Sequence, residues 1–151
     1  MTYEEALSGV EKVISRSKFA KADVLLCRHG GERFIIKDFG ARGFWERNLI
    51  GRIVIGRECR AYTALAGIDG LPSRFARLTP FCLAVDYLEG KDLGGIQRSE
   101  IGPGVLLQFE KIIDELHDRG WVHLDLQRRS NILLVNDRIF VVDLASAFHP
   151  G

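Results

Sequence analysis

An α+β fold is the architecture this sequence predicts, and three observations lead to it. Runs rich in Val, Ile, Leu and Phe come in pairs around short polar turns, as in "DVLLCRHGGERFII", "ARLTPFCLAV" and "NILLVNDRIFVV", which is hairpin patterning. Helical periodicity is confined to a few segments set between those pairs. The resulting order is helix, hairpin, helix, hairpin, hinge, long helix, loop, hairpin, the order of an α+β protein with a cleft where two parts meet. Composition agrees: 151 residues, 46% hydrophobic, 27% charged and 9% aromatic describe a soluble globular protein of one domain or two small lobes. A chain of this size buries roughly two-thirds of its unfolded surface and needs no metal or disulfide staple.

Each element has a local reason. Thr2 followed by Glu5 fits a capping box, and Ala6, Val10, Val13 and Ile14 recur at helical spacing, predicting a short N-terminal helix. From Asp23 two β-rich runs flank His29-Gly30-Gly31, a hairpin turn. Gly51 and Gly56 interrupt the next stretch, so a helix is expected only over Arg57 to Ala66, ending near Gly67 or Gly70. "SRFARLTP" and "FCLAVDYL" form a second strand pair turning at Thr79-Pro80. The Gly-rich "EGKDLGG" marks the break between lobes, with 1–88 before it and 89–151 after. The clearest helix is "GVLLQFEKIIDELHDRG", whose stripe is Val105, Leu106, Phe109, Ile112, Ile113 and Leu116 and which Gly120 ends. A compact hairpin around Asn136-Asp137 closes the sequence.

Several function classes receive no support. A formal net charge of +1 gives no electrostatic case for nucleic acid or an anionic membrane. The acidic, amphipathic N-terminus is unlike a signal peptide, and the longest apolar runs are far too short to span a bilayer, so no transmembrane segment is expected. Cys27, Cys59 and Cys82 are odd in number, widely spaced and without a CxxC, which reads as buried thiols in a reducing cytoplasm.

The chemistry-bearing residues fall near the C-terminal end of this sequence and, in a second set, before it. "HLDLQRRSNILL" resembles the protein-kinase catalytic loop H-R-D-L-x-x-x-N. Asp143, 18 positions after Asp125, closes a strand where that family carries the Asp of D-F-G. Lys37 in "FIIKDF" ends a strand as the V-A-I-K lysine does, and Glu58 lies on the next helix. Singly, Lys37 reads as a solvated strand-edge residue and Glu58 as a surface helix residue; the order of the whole set carries the resemblance, which covers about Val13 onward. It is to the protein-kinase-like superfamily, and the "H-x-D-L … N-I-L … D-x-A" pattern looks more like its atypical bacterial members, the RIO-like and lipopolysaccharide-core sugar kinase groups. The resemblance implies an N-lobe antiparallel sheet with a C-helix over 1–88 and a much reduced C-lobe over 89–151, since the sequence ends a few residues after Asp143.

By that resemblance the cofactors are ATP and Mg²⁺, and the reaction moves the γ-phosphate to a hydroxyl acceptor, a small molecule, sugar or protein. Phosphoryl transfer is mainly positioning and charge neutralisation. Lys37, held by Glu58, would sit on the phosphates, Asp125 would orient and deprotonate the acceptor hydroxyl, and Asn131 and Asp143 would hold the metal. His123 would hold the loop. The phosphate-covering segment falls on "SRSKFAKA", with Ser15, Ser17 and Ala20 at the glycine positions, Phe19 at the tip and Ala22 at the valine position; an ordinary strand-turn-strand is the competing reading. Backbone groups of Asp86 and Leu88 in the hinge Asp86-Tyr87-Leu88, behind Val85, would bind the base, with Ile35, Ala22 and Leu133 sandwiching it.

The sequence also departs from the family. Six positions separate Asp125 from Asn131 where the pattern has five, and Gln127 stands where protein kinases usually carry a lysine. Arg128 or Arg129 substitutes for that lysine or is simply solvated, the latter favoured. Leu124 replaces the Arg that reads a phosphorylated activation loop, and D-F-G has become Asp143-Leu144-Ala145. Two functions stay open, an active phosphotransferase and a kinase-like nucleotide-binding or scaffold module that turns over weakly or not at all. A partner chain or a second copy of this one is a further candidate partner; nucleic acid is not.

Overall fold

The computed structural model describes residues 1–16, 21–126 and 128–150, without the side chain of Arg98. Helix α1 (Tyr3–Ser8) carries the expected capping box: Thr2 Oγ1 accepts the Glu5 N–H at 3.2 Å, and the Thr2 N–H donates to Glu5 Oε2 at 2.6 Å. Contrary to expectation the helix does not continue through Val10, Val13 and Ile14, which lie on strand β1 (Val10–Ser15). The reason is at Gly9. Its carbonyl accepts the Arg28 N–H at 2.8 Å, and a Cβ there would stand 2.2 Å from the Arg28 carbonyl oxygen. The backbones meet at Gly9, and the chain joins the sheet.

Strands β2 (Asp23–His29) and β3 (Glu32–Asp38) form the expected hairpin. Gly30 and Gly31 have φ of 59° and 79°, the paired positive angles of a turn whose twist matches that of the strands. A π-helical stretch, Glu46–Gly51, runs directly into α2 (Arg52–Ala64). Gly51 and Gly56 therefore do not break a helix. They admit close neighbours, since a Cβ at Gly51 would stand 2.9 Å from Phe39 Cβ and one at Gly56 3.5 Å from the Arg77 guanidinium. Strands β4 (Phe75–Thr79) and β5 (Cys82–Asp86) follow, then the two-residue β6 (Lys91–Asp92) within the expected Gly-rich break.

Helix α3 (Pro103–Asp118) starts with Pro in its first turn. It ends in a Schellman motif, in which Trp121 N–H donates to Leu116 O and Gly120 N–H, at φ 78°, to His117 O. Val105, Ile112 and Leu116 are buried, whereas Leu106, expected in the stripe, is exposed, a third of a turn round from Val105. Then come β7 (Val122–His123), β8 (Ile132–Val135), β9 (Arg138–Val141) and β10 (Ala147–Phe148). Asn136 and Asp137, at φ 47° and 63°, close the β8–β9 hairpin as expected.

The chain divides into two compact units, 1–60 with 74–87 and 61–73 with 88–151. The division at 87/88 falls one residue before the expected lobe boundary; 61–73, expected in the first lobe, groups with the second unit, and α2 crosses from one to the other. The first unit holds a five-stranded antiparallel sheet in the order β1-β2-β3-β5-β4. One sheet face packs on α1 through Ala6, Leu25, Cys27, Ile36, Cys82 and Ala84. Side chains such as Leu25 and Ile36 contribute roughly 1.5–3 kcal/mol each by leaving water. The second unit has the sheets β6-β8-β9 and β7-β10, with α3 on β9 and the Gln108 carboxamide oxygen accepting the Ile139 N–H. Mixed α+β architecture is thus as expected. Cys27, Cys59 and Cys82 are free thiols, and burial pushes the Cys82 thiol well above its ordinary range. Among the described residues, no helix is long and apolar enough to cross a membrane.

Candidate functional site

In the first unit the chemistry is carried by regular elements. Cross-strand register puts Lys37 opposite Val24 and Leu83, and Ile35 opposite Leu26 and Val85, so these six share the sheet face turned away from α1. Leu83 and Val85 are buried; Val24, Leu26 and Ile35 are half-buried. Lys37 Nζ lies 2.6 Å from Glu58 Oε1 on α2, 21 positions along the chain. The Lys37 side chain keeps 15% of its accessible surface and that of Glu58 1%. Because a charge this buried is costly without a partner, the pair anchors both side chains.

The remaining first-unit candidates differ in status. Ser15 ends β1, exposed, opposite Val24, and Ala22 is half-buried immediately before β2. β1 and β2 thus enclose the segment expected to cover phosphate, but Ser17, Phe19 and Ala20 lie outside the described residues. At the end of β5, the Asp86 N–H donates to Arg74 O at 3.0 Å. The Asp86 carboxylate accepts from the Arg74 N–H at 3.0 Å and from Nε at 2.9 Å. Arg74, whose Nη1 also reaches Glu32, was not singled out from sequence; nothing local to "PSRFAR" ties it to a residue 12 positions on. Leu88 and Leu133 belong to the second unit, Leu133 half-buried on β8 opposite Phe140.

In the second unit a loop carries the chemistry, and main-chain hydrogen bonds orient it. His123 Nδ1 accepts the Asp125 N–H at 3.1 Å, so Nε2 carries the ring proton and donates to the Asp143 carbonyl at 2.8 Å. One buried imidazole therefore ties the segment bearing Asp125 to the segment bearing Asp143. The pairing of β7 with β10 holds the same two segments in register, with His123 opposite Ala147.

The six positions from Asp125 to Asn131 are spanned by two consecutive three-residue closures. Arg128 N–H donates to Asp125 O at 3.2 Å, and Asn131 N–H to Arg128 O at 2.9 Å. The extra residue is absorbed, and the buried Asn131 side chain turns back so that Nδ2 donates to Asp125 O at 3.1 Å and to Asp125 Oδ2 at 3.3 Å. Gln127 lies outside the described residues. Arg128, for which simple solvation was favoured, is exposed yet stands with Nε 3.4 Å from Asp125 Oδ1; an i,i+3 spacing across a turn was the signal for it. Arg129 lines a cavity of about 300 Å³ with Leu93, Ile96 and Ile101.

Asp143 adopts φ 64° and ψ 76°, a left-handed conformation uncommon outside glycine, and its Oδ1 accepts the Ala145 N–H at 3.3 Å. The Val142 N–H donates to Asn131 O at 2.8 Å, which brings the residue before Asp143 against Asn131. Among the described residues, no group of three or more His, Cys, Asp and Glu is placed to cage a metal. Mg²⁺ does not need one, because it binds through one or two protein oxygens together with phosphate and water. Asn131, its Nδ2 committed to Asp125, offers Oδ1, and Asp143 offers a carboxylate; the donor set fits that ion. No protein-family model matches the chain, and no curated protein matches it.

Proposed function

We propose that the protein is an ATP- and Mg²⁺-dependent phosphotransferase with a protein-kinase-like fold, akin to the atypical bacterial RIO-like and lipopolysaccharide-core kinases, acting on a hydroxyl-bearing acceptor. The observation that carries this reading is the buried Lys37–Glu58 pair at 2.6 Å, formed between the two residues whose pairing the resemblance implies. A lysine held by a carboxylate beside Val24, Leu26, Ile35, Leu83 and Val85 is suited to polyanionic phosphate. The half-buried Val24, Leu26 and Ile35 on that face suit an aromatic base.

The second-unit residues supply the rest of the chemistry. Asp125 orients the acceptor hydroxyl and takes its proton as that oxygen bonds to the γ-phosphorus and the bond to the β-phosphate oxygen breaks. Arg128, beside the Asp125 carboxylate, offers a positive charge to the moving phosphoryl group. His123 keeps the Asp125 and Asp143 main chains in place. A bound Mg²⁺ on Asn131 and Asp143 would neutralise phosphate charge. Free thiols support a cytoplasmic setting.

The test measures γ-phosphate transfer and ATP hydrolysis in wild type and Asp125→Asn, beside thermal shifts with ATP and Mg²⁺. A general base contributes about 10²–10⁴-fold, so the variant should lose that much turnover while keeping its thermal shift. Saturation at 100 times the dissociation constant stabilises by about 2.7 kcal/mol. A shift without turnover in wild type would make the protein a binding module, and no shift at millimolar ATP would end the nucleotide reading altogether.

A further inference from the structure

The helical stretch over 44–60 leaves an apolar face uncovered. Trp45 is 79% exposed, Leu49 61% and Ile53 55%, and Phe44 beside them is 62% exposed. Steps of four along a helix put Trp45, Leu49 and Ile53 in one row, and the next step is Arg57. Phe44 and Trp45 stack edge to face, ring centres 5.4 Å apart, at one end of the row. The π-helical turns of Glu46–Gly51 are wider than α turns; such insertions are rare and favour functional positions.

The charges around this face are of one sign. Arg52, Arg57, Arg60 and Arg77 are exposed. Arg77 donates to the carbonyls of Arg52 and Pro80 and lies over Gly56, which fixes its charge against the same helix. The acids of the same stretch are already engaged: Glu46 pairs with Arg42 and Glu58 with Lys37. A net charge of +1 over the whole chain hides this local surplus.

We propose that the face formed by Phe44, Trp45, Leu49 and Ile53, ringed by Arg52, Arg57 and Arg77, docks onto an anionic lipid bilayer surface. The aromatic pair suits the interfacial zone, the aliphatic pair the acyl boundary and the arginines the lipid phosphates, which is the division of labour in helices that lie in a membrane interface. Charge complementarity selects this occupant over a neutral apolar partner, because a cationic ring gains nothing from an uncharged surface.

Flotation with vesicles of phosphatidylcholine alone or with 30% phosphatidylglycerol, using the full chain, tests the proposal. Binding is expected only to the anionic vesicles and should weaken with salt. In Trp121→Phe, which leaves Trp45 as the only tryptophan, emission should shift to the blue on binding and be quenched by brominated acyl chains. Leu49→Glu and Ile53→Glu, both at exposed positions, should each lower partitioning at least about tenfold, and Arg52→Glu by about fivefold or more, with unchanged far-ultraviolet circular dichroism. Equal binding to both vesicle types, or binding that Leu49→Glu leaves intact, would overturn the proposal. So would an absence of vesicle binding together with self-association that Leu49→Glu abolishes, which would assign the face to a second copy of this chain.

Discussion

The two units restrain their charged side chains in different ways. In the first unit Lys37 projects from the middle of a five-stranded sheet and pairs with Glu58 on a helix. In the second, Asp125, Asn131 and Asp143 ride on turns and short 3₁₀ segments, tied by hydrogen bonds between side chains and main-chain groups. Regular elements place a residue by register, and the ion pair then aims its side chain. A loop has no register, so His123 and Asn131 must tie backbone to backbone. The first arrangement is costly when either partner is lost; the second spreads its cost over several weaker bonds.

The largest effect that would break this contrast is expected at the ion pair. Glu58→Ala and Lys37→Ala each remove one half of a buried ion pair, and each should destabilise by about 3–5 kcal/mol in urea titrations. Lys37→Met combined with Glu58→Leu should recover most of the loss, because both members of the buried pair are then replaced by apolar side chains. If Glu58→Ala costs less than about 1 kcal/mol, the first unit is no more dependent on its pair than an exposed surface would be.

A smaller effect is expected at Asp143, where backbone strain and capping are superposed. Asp143→Ala removes the acceptor for Ala145 N–H and keeps a Cβ at positive φ, at a cost of about 1–2 kcal/mol. Asp143→Gly relaxes the backbone and should cost less than Asp143→Ala, since glycine is tolerated both at caps and at positive φ. Asp143→Asn keeps a side-chain acceptor for Ala145 N–H and should cost less than Asp143→Ala. All three should lose Mg²⁺-dependent nucleotide binding, which separates stability from the proposed function. Equal costs for the Ala and Gly variants would show that positive φ is not the source of the strain.

The smallest effect sharpens the contrast at the surface of the first unit. Hydrogen bonding from Arg28, with Arg33 beside it, holds the Glu11 carboxyl below its ordinary range. A carboxyl depressed in the folded state adds stability above its unfolded value and loses it as pH falls through the folded one. Glu11→Gln should therefore lower the melting temperature slightly at neutral pH, and the difference should vanish below the carboxylate range. A difference that persists at the acid end would assign the effect to packing.

Legibility followed the range of the interaction. Paired Gly30-Gly31 and Asn136-Asp137 announced their hairpins, and Thr2-Glu5 its cap, because those preferences act within a few residues. The end of α1 was missed because the contact that stops it lies at Arg28. The start of α2 was missed because Gly51 and Gly56 weaken a helix in isolation but here admit Phe39 and Arg77. Leu106 was misassigned because a stripe read from spacing alone has no partner to define its width.

Among the candidate site residues, sequence by itself determined which residue types were available and on which kind of element they lay: Lys37 on a strand, Glu58 on a helix, Asp125 and Asn131 in a loop. Only the tertiary structure decided how closely Lys37 and Glu58 meet and how deeply they are buried, that two closures absorb the six positions between Asp125 and Asn131, and that His123 joins the Asp125 and Asp143 segments. Backbone preference is set by neighbours a few residues away, whereas burial and hydrogen-bond partnership depend on groups brought together from distant positions by packing.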